Sequence, residues 1–188
     1  MRIVAGRHRG RALAVPEGND IRPTADRLRE AMFNSLCHGN RLIGDGDWVR
    51  DATVLDGFAG TGALGLEAVS RGAGHATLME QSHTALELCR QNTESLGEQA
   101  AVTVLSGDCL NPVRPAQPCN LIFLDPPYRS GAAGDALEAL ARTGWIASDA
   151  LCVVELAAKE AFKPPDGFNQ LDKRRYGAAR VVFMRWRD

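Results

Sequence analysis

From residue 53 onward the chain alternates between short apolar runs and stretches of helical periodicity, and this alternation constrains the fold most. Five apolar runs are typical of buried strands and lie at residues 53–55, 76–79, 102–105, 121–124 and 151–154. Helical spacing of apolar residues occurs between several of these runs, at residues 63–70, 84–96 and 132–141. Alternation of strands and helices predicts parallel strands joined by crossover helices.

Both ends of the chain depart from this alternation. Residues 170–175 and 180–186 are predicted to form an antiparallel hairpin around Gly177. At the start of the chain, residues 2–4 and 12–15 are predicted to be two short strands around a turn that is rich in glycine and arginine.

A helix is predicted between the N-terminal hairpin and the first central strand, because Leu28, Met32 and Leu36 recur every four residues. The sequence therefore predicts an α/β fold with a mostly parallel seven-stranded sheet and a C-terminal antiparallel hairpin. A small N-terminal extension, made of the hairpin and the helix, is placed at residues 1–45. The main domain is placed at residues 46–188.

The composition excludes several classes of protein. With 188 residues, 45% of them hydrophobic, the chain has enough apolar side chains for a core and is not predicted to be disordered. It has no run of about 18 apolar residues that would span a membrane, and no apolar block of the kind found in a secretory signal follows the N-terminal arginines. The cysteines are widely spaced and the histidines form no cluster, so we expect cytoplasmic reduced thiols and no metal site. The modest size and near-neutral charge allow a monomer.

Charge is distributed unevenly, although the net charge is only −1. Residues 1–15 contain four arginines and no acid, residues 173–187 contain six basic residues and no acid, and residues 16–172 contain 12 basic and 22 acidic residues. Two cationic ends on an acidic body favour a polyanionic partner that is held at one surface. Ordinary solvated chain ends are the simpler alternative.

A glycine-rich loop follows the first central strand and opens a helix. Gly60, Gly62 and Gly65 fit the pattern G-x-G-x-x-G, which permits a tight turn and close approach of a ligand to the backbone. The pattern alone also fits dinucleotide binding or a purely structural turn. Asp56 would repel a pyrophosphate but suits an ammonium group, and Glu80 at the end of the next strand can accept the hydroxyls of a ribose. Together the two acids indicate S-adenosylmethionine.

The segment Asp125-Pro126-Pro127-Tyr128 follows an apolar run and is the most specific signal in the chain. The prolines fix the backbone and remove two amide donors, so nearby carbonyl oxygens remain free as acceptors. Asp125 adds another acceptor, and Tyr128 adds a flat face for stacking. Acceptors beside a stacking face suit a planar base with an exocyclic amine, whereas a rigid turn without a ligand is the alternative.

An exocyclic amine must be prepared before it can accept a methyl group, because its lone pair is delocalised into the ring. Hydrogen bonds from its N–H groups to Asp125 and to the carbonyl of Pro126 would direct the lone pair toward a sulfonium methyl. Catalysis would then rest mainly on positioning and electrostatics. The nitrogen becomes acidic once it is methylated, so its proton could leave to Asp125 or to water.

Through these residues the chain resembles the class I methyltransferases, which have a Rossmann-like fold. It resembles more narrowly the RsmD family, bacterial methyltransferases that act on guanine N2 of small-subunit (16S) ribosomal RNA. The narrower resemblance covers essentially the whole chain and rests on residues 2–11 (RIVAGRHRGR), 22–34 (RPTADRLREAMFN), 55–62 and 65–68. Two positions depart from the family pattern, because Gly57 replaces a side chain and Gln81 replaces an acid.

The resemblance implies a role for each group of residues. The predicted cofactor site comprises Asp56, Phe58, Ala59, Gly60, Thr61, Gly62, Glu80, Gln81, Asp108 and Cys109. Within it the residues near the glycines line the methionine part, Glu80 takes the ribose, and Asp108 with Cys109 flanks the adenine. Asp108 alone is equally compatible with a helix N-cap. Residues 125–128 hold the target guanine.

The basic N-terminal turn is predicted to contact the RNA backbone through Arg7, Arg9 and Arg11, with a further contact from Arg22. Phosphate contacts of this kind supply affinity with little sequence choice. They would offset the free energy that is needed to remove a guanine from a folded RNA.

Other functions fit part of the pattern. A methyltransferase acting on adenine N6 in DNA or RNA, or on a protein glutamine amide, would use the same tetrapeptide at residues 125–128. The glycines also fit a nicotinamide-dependent oxidoreductase, which the acid before them and the proline pair disfavour. A non-catalytic RNA-binding module is disfavoured by Asp125 and Glu80. The role of the C-terminal basic hairpin stays open, and Arg27 with Glu30 forms either an intrahelical ion pair or part of the cofactor surroundings.

Overall fold

The structure is a computed structural model that describes residues 1–16, 23–39, 42–44, 46–127 and 131–187, without the side chains of residues 23–25. Its strands are β1 (Thr53–Gly57), β2 (His75–Glu80), β3 (Val102–Ser106), β4 (Cys119–Leu124), β5 (Ile146–Ala157), β6 (Phe168–Tyr176) and β7 (Ala179–Trp186). They form one sheet in the order β3-β2-β1-β4-β5-β7-β6. Strands β1 to β5 pair in parallel, and β7 is antiparallel to both β5 and β6. The predicted seven-stranded sheet with an antiparallel C-terminal hairpin is confirmed.

Helices cover both faces of this sheet. In the described part of the chain they are α1 (Pro23–Cys37), α2 (Ala63–Ser70), α3 (His83–Leu96) and α4 (Ala132–Thr143). One apolar cluster includes Leu28, Leu66 and Cys89 from the first three helices, and a second cluster includes Leu137 and Leu140 from α4. This arrangement buries both faces of the parallel strands, as crossover connections require.

The strand β5 is much longer than the apolar run that predicted it. It spans 12 residues, of which Ser148 and Asp149 are exposed and only residues 150–154 form a continuous apolar run. Its pairing with β4 also shifts register between Cys119 and Leu121. The sequence pattern detected the buried half alone, because burial and not strand geometry produces an apolar run.

The N-terminal hairpin forms, but the two strands predicted within it reduce to a single bridge between Arg2 and Ala12. Ile3 donates its backbone N–H to the carbonyl of Arg11, at 2.9 Å. The N–H groups of Val4 and Ala5 are instead directed to a side chain of α2. The prediction of two strands is therefore wrong, because a tertiary acceptor replaces the strand partner.

That acceptor is Glu67, whose side chain is completely buried. Its carboxylate accepts the N–H groups of Val4 at 2.8 Å and Ala5 at 3.0 Å and the Nε–H of Arg71 at 2.7 Å. The Nε of Arg29 lies 3.6 Å away. Two arginines thus compensate a charge that would otherwise be strongly unfavourable in the interior. Glu67 fastens the N-terminal extension to the main domain.

The extension also shares its apolar core with the main domain. Ile3, Leu13 and Leu28 belong to the same buried cluster as Val54 of β1 and Phe123 of β4. A division near residue 45 therefore separates two parts of the chain that pack around one core.

We expect Glu67→Ala to lower the free energy of unfolding by about 3–5 kcal/mol, because it leaves the Nε–H of Arg71 and two backbone N–H groups without their acceptor and removes a negative charge beside the buried Arg29. Urea denaturation measures the loss. Glu94→Ala, which removes an exposed glutamate of α3, is the control and should change stability by less than about 0.5 kcal/mol. A loss in Glu67→Ala no larger than that of the control would contradict the assignment.

Candidate active site

The loop of residues 58–62 connects β1 to α2 at the carboxyl edge of the parallel strands. Phe58, Gly60 and Gly62 adopt left-handed backbone with φ of 58°, 57° and 76°. Ala59 donates its N–H to the carbonyl of Met79 at 3.1 Å, and Gly62 donates to the carbonyl of Ala59 at 2.7 Å. Left-handed backbone at a phenylalanine is unfavourable by about 1–2 kcal/mol, so the surroundings impose the shape of this loop.

Asp56 lies beneath this loop, and its side chain is buried. Its Oδ2 accepts the backbone N–H of Gly65 in α2, at 2.8 Å. A Cβ at Gly65 would lie 2.3 Å from Cδ2 of Leu78 and 3.2 Å from Cβ of Asp56, so only glycine permits this approach. The observed partner of Asp56 is therefore the N-terminal turn of a helix, where a negative charge is also favourable. Its contact with an ammonium group stays a prediction.

Burial raises the pKa of Asp56 from 3.8 to about 7; the negative charge of Glu80 raises it too, whereas N–H groups of Gly65 and Leu64 lower it. An ionised Asp56 is thus disfavoured in the protein alone. A positive charge placed nearby would favour ionisation, and a further negative charge would oppose it. The electrostatics of this position favour a cationic ligand group.

The half-buried carboxylate of Glu80 joins the end of β2 to the glycine loop. Its Oε2 accepts the N–H of Gly60 at 2.9 Å, and its Oε1 accepts those of Gln81 and Ser82, both at 2.8 Å. A carboxylate has about four acceptor sites, so three backbone donors leave capacity for a hydroxyl group. This geometry is compatible with the predicted ribose contact.

A crevice opens beside Glu80 at the ends of the first three strands. It is lined by Phe58, Met79, Glu80, Gln81, Gly107, Asp108 and Cys109. All except Met79 and Gly107 were predicted as cofactor residues, so the crevice brings together predictions from three separate parts of the sequence. A glycine directly after a strand was the available signal for Gly107, whose N–H donates to the carbonyl of Glu80 at 3.0 Å. The enclosed space is only about 10 Å³, so a cofactor would lie across the crevice.

The far side of the crevice explains two features of the sequence. The Oδ1 of Asp108 accepts the N–H of Leu110 at 2.9 Å, and no helix begins there among the described residues, so the N-cap alternative is wrong. A Cβ at Gly57 would lie 2.6 Å from Cδ2 of Leu124 and 2.9 Å from Sγ of Cys109. Those two side chains fill the space that a side chain at position 57 would need.

The segment after β4 lies beside the glycine loop, because β1 and β4 are neighbouring parallel strands. The N–H of Asp125 points to the carbonyl of Gly57 at 3.5 Å. Asp125 and Pro127 are exposed, and Pro126 is buried. Tyr128 lies outside the described residues, so its stacking role stays a prediction.

Asp125 lies among other acids. Leu124 pairs with Val154, so Asp125 and Glu155 follow side by side on neighbouring strands. Crowding by protein atoms, and then the charges of Glu155 and Asp56, raise the pKa of Asp125 well above its ordinary value. The residue is nevertheless exposed to solvent. It therefore combines accessibility with a tendency to hold a proton.

The structure places Arg7 and Arg11 at the opposite, amino edge of the parallel strands. Arg7 donates its backbone N–H to the carbonyl of Ser70, which ends α2, and its guanidinium pairs with Glu98, with Nε 2.6 Å from Oε1. The guanidinium of Arg11 donates to the carbonyl of Ser95 at 2.6 Å. Because these partners precede β2 and β3, both arginines lie away from the crevice, and their RNA contacts stay predictions.

Arg9 is exposed and lines a cavity of about 710 Å³ between the N-terminal hairpin and α1. Arg27 and Glu30 line the same cavity, and no ion pair joins these two described side chains. Arg22 lies outside the described residues, so its predicted RNA contact stays a prediction.

The described part of the chain contains no group of three His, Cys, Asp or Glu side chains arranged to hold a metal ion. No described helix combines the length and apolar character needed to cross a membrane. All five cysteines are free. Burial raises the pKa of Cys89, Cys109 and Cys119 to about 12, so these thiols are poor nucleophiles.

This strand order, with a glycine loop after β1, an acid ending β2 and Asp-Pro-Pro after β4, defines a class I S-adenosylmethionine-dependent methyltransferase. The family model described as "Conserved hypothetical protein 95" matches residues 1–185. The chain belongs to this family, the RsmD family.

Named relatives and a solved structure extend over most of the chain. It is 39% identical over 155 residues to "Ribosomal RNA small subunit methyltransferase D" of Escherichia coli K12, covering 82% of this chain and 74% of the relative. It is 33% identical over 181 residues to the protein of the same name from Haemophilus influenzae, covering 94% and 89%. The solved Escherichia coli protein yhhF superposes with a TM-score of 0.82 at 33% identity, covering 100% of this chain and 98% of that one.

Replacement of Gly62 by alanine should destabilise the protein more than replacement of Gly60. Left-handed backbone is unfavourable for alanine at both positions, by about 1–2 kcal/mol. The new Cβ at position 62 would lie 2.7 Å from Cδ1 of the buried Leu78, whereas at position 60 the nearest atom is 4.0 Å away. We expect an additional loss of about 1–3 kcal/mol for Gly62→Ala, measured by urea unfolding without cofactor. Equal losses of stability in the two variants would contradict this, because they would show that the side chain of Leu78 moves aside without cost.

The raised pKa of Asp56 predicts a specific pH dependence of stability. Because the folded-state pKa of about 7 lies above the unfolded value of about 3.9, protonated Asp56 stabilises the fold at acidic pH. That contribution is lost as the pH rises through about 4 to 7. Between about pH 5 and pH 7, the wild type should lose about 2 kcal/mol more stability than Asp56→Asn, which accepts the same hydrogen bond without titrating. Urea unfolding at several pH values, without cofactor, tests this, and parallel pH profiles would refute it.

Proposed function

We propose that this protein transfers a methyl group from S-adenosylmethionine to the exocyclic N2 of a guanine in small-subunit (16S) ribosomal RNA. The observation that carries the proposal is the side-by-side position of the glycine loop and the Asp-Pro-Pro segment, joined where Asp125 approaches Gly57. The names of relatives that are 33% and 39% identical supply the class of RNA.

The acids around the crevice suit this cofactor. Asp56, Glu80 and Asp108 favour a ligand that carries positive charge, whereas a dinucleotide would bring a pyrophosphate beside two carboxylates. The loop of residues 58–62 would hold the methionine part, Glu80 the ribose, and Asp108 with Cys109 the adenine. When bound, the cofactor supplies an electrophilic methyl group on a sulfonium.

Asp125 and the carbonyl of Pro126 act on the guanine amine. They accept hydrogen bonds from its two N–H groups, which orients the nitrogen lone pair toward the crevice. Pro126 is buried and the two prolines restrict the backbone, so the carbonyl acceptor is fixed before the substrate arrives. Acceptors held in this way lower the barrier mainly through positioning and electrostatics.

The proton balance of the transfer also involves Asp125. A carbon–nitrogen bond forms while the carbon–sulfur bond breaks, and the nitrogen then carries one proton too many. The raised pKa of Asp125 makes this carboxylate a better proton acceptor than an ordinary aspartate, with water as the other acceptor. No stronger base is required, because the methylated nitrogen is acidic.

We further propose that the protein binds RNA and acts in the cytoplasm. Five free thiols suit a reducing compartment. The exposed side chain of Arg9 and the N-terminal hairpin around it offer phosphate contacts at the amino edge of the sheet.

Asp125→Ala should reduce the rate of methyl transfer to small-subunit RNA by about 10²–10³-fold, because it removes an acceptor for the reacting amine. The assay follows labelled methyl transfer to the free RNA and to the assembled subunit, and mass mapping locates the modified base. Asp135→Ala is the control, since Asp135 is exposed on α4, and it should retain the wild-type rate.

DNA and a release-factor protein are assayed beside the RNA. Methyl transfer only to one of those substrates would refute the proposal. A wild-type rate of methyl transfer in Asp125→Ala would also refute it. Ribosomal RNA from a strain that lacks the protein should lose one N2-methylguanine.

A further inference from the structure

The hairpin of β6 and β7 brings its turn to the edge of the sheet that carries the crevice. Because β7 is antiparallel to β5, Ala179 at its start lies opposite Ala157 at the end of β5. The turn therefore lies at the same edge as Asp125. Arg187, beyond the end of β7, lies at the opposite edge with its Nε 3.8 Å from Asp149. The C-terminal basic residues are thus divided between two edges.

Four basic residues gather beside this turn. Arg175 lies directly opposite Arg180, and Lys173 lies opposite Val182. Cross-strand partners share a face of the sheet, and Val182 belongs to the apolar cluster on the side of α4. Arg180 donates to the carbonyl of Glu160 at 2.7 Å, which brings it against the segment after β5. We name the resulting cluster the hairpin basic surface, comprising Lys159, Lys173, Arg175 and Arg180.

The arginines of this surface differ from the neighbouring Arg174, whose charge is compensated by a carboxylate. Arg175 and Arg180 donate to backbone carbonyls, and the ion pairs between described residues include neither of them. The Nε of Arg180 is buried without a hydrogen-bond partner in the described part of the chain. Arg174, which points to the other face, is paired with Asp172 at 2.8 Å. Like charges placed directly opposite each other on paired strands repel, so the fold alone does not account for this arrangement.

A cavity of about 470 Å³ lies between this surface and the start of α4. It is lined by Gly131, Ala157, Lys159, Glu160 and Ala161. Ala157 follows Glu155 by two residues, or roughly 7 Å along the strand, and Glu155 is the neighbour of Asp125. The cavity therefore opens next to the position proposed for the target base.

We propose that the hairpin basic surface binds the phosphates of the RNA strand immediately beside the target guanine. This inference rests on the proposed function. A base that leaves a folded RNA brings its own backbone to the active site, and that backbone needs positive charge nearby. Arg7 and Arg11 lie about one strand length away, roughly 17 Å for five residues, and do not supply it.

The test compares two double variants of equal charge change. Lys159→Ala/Arg175→Ala removes exposed charge beside the crevice, and Arg142→Ala/Arg187→Ala removes exposed charge at the opposite edge. Each phosphate contact with a single strand contributes about 0.7 to the slope of log binding constant against log salt. The first variant should lower that slope by about 1.4 and weaken binding of small-subunit RNA roughly 20-fold at about 0.1 M salt. The second should leave both unchanged.

Kinetics separate this role from catalysis. In methyl transfer the Lys159→Ala/Arg175→Ala variant should raise KM for the RNA, while kcat and cofactor affinity stay within about twofold of the wild type. The single variant Arg175→Lys, which keeps the positive charge, should retain most of the RNA affinity of the wild type. Because Lys159 lies in an exposed loop, the single Lys159→Ala variant gives the same test with a slope change of about 0.7 if the double variant unfolds.

The outcomes separate this inference from the proposed function. If the wild-type protein transfers no methyl to small-subunit RNA, the proposed function fails. If the wild type is active and the two double variants show the same slope and KM, the hairpin basic surface does not bind the RNA, and this inference alone is overturned.

Discussion

The parallel pairing of β1 with β4 is the contact on which the rest of the site depends. The chain order reverses at this pair, so the loops after the two strands lead to helices on opposite faces and leave a crevice between them. The same pairing brings Asp56 close enough to Asp125 for its charge to raise the pKa of Asp125. The arrangement that places the reacting groups at one edge therefore also places negative charges close together there. A cationic ligand group reduces the repulsion between them.

Periodicity predicted most of the fold because buried strands and crossover helices are themselves periodic. The prediction of two N-terminal strands failed because Val4 and Ala5 donate to Glu67, a residue more than 60 positions away in the sequence. Local alternation carries no information about an acceptor that distant. The division near residue 45 follows the glycines at positions 44 and 46 and stays a prediction, whereas the shared apolar cluster of Ile3 and Val54 is visible only in the folded chain.

The positions of the site residues were easier to predict than their partners. Glu80 ends β2 and Asp108 follows β3, and parallel strands necessarily present their ends at one edge. The burial of Asp56 under the loop depends on Gly65, and the engagement of Arg7 depends on Glu98, 91 residues away. Charge counting along the sequence treats such an arginine as available, although its guanidinium already has a carboxylate partner.

The contacts that restrain the glycine loop have a consequence for ligand affinity. Phe58 is held in left-handed backbone, Gly60 donates to Glu80, and Ala59 donates to the carbonyl of Met79. These residues lose their conformational entropy when the chain folds and not when a small molecule binds. An incoming ligand therefore meets a preorganised rim, and little of its interaction free energy is consumed in ordering the protein.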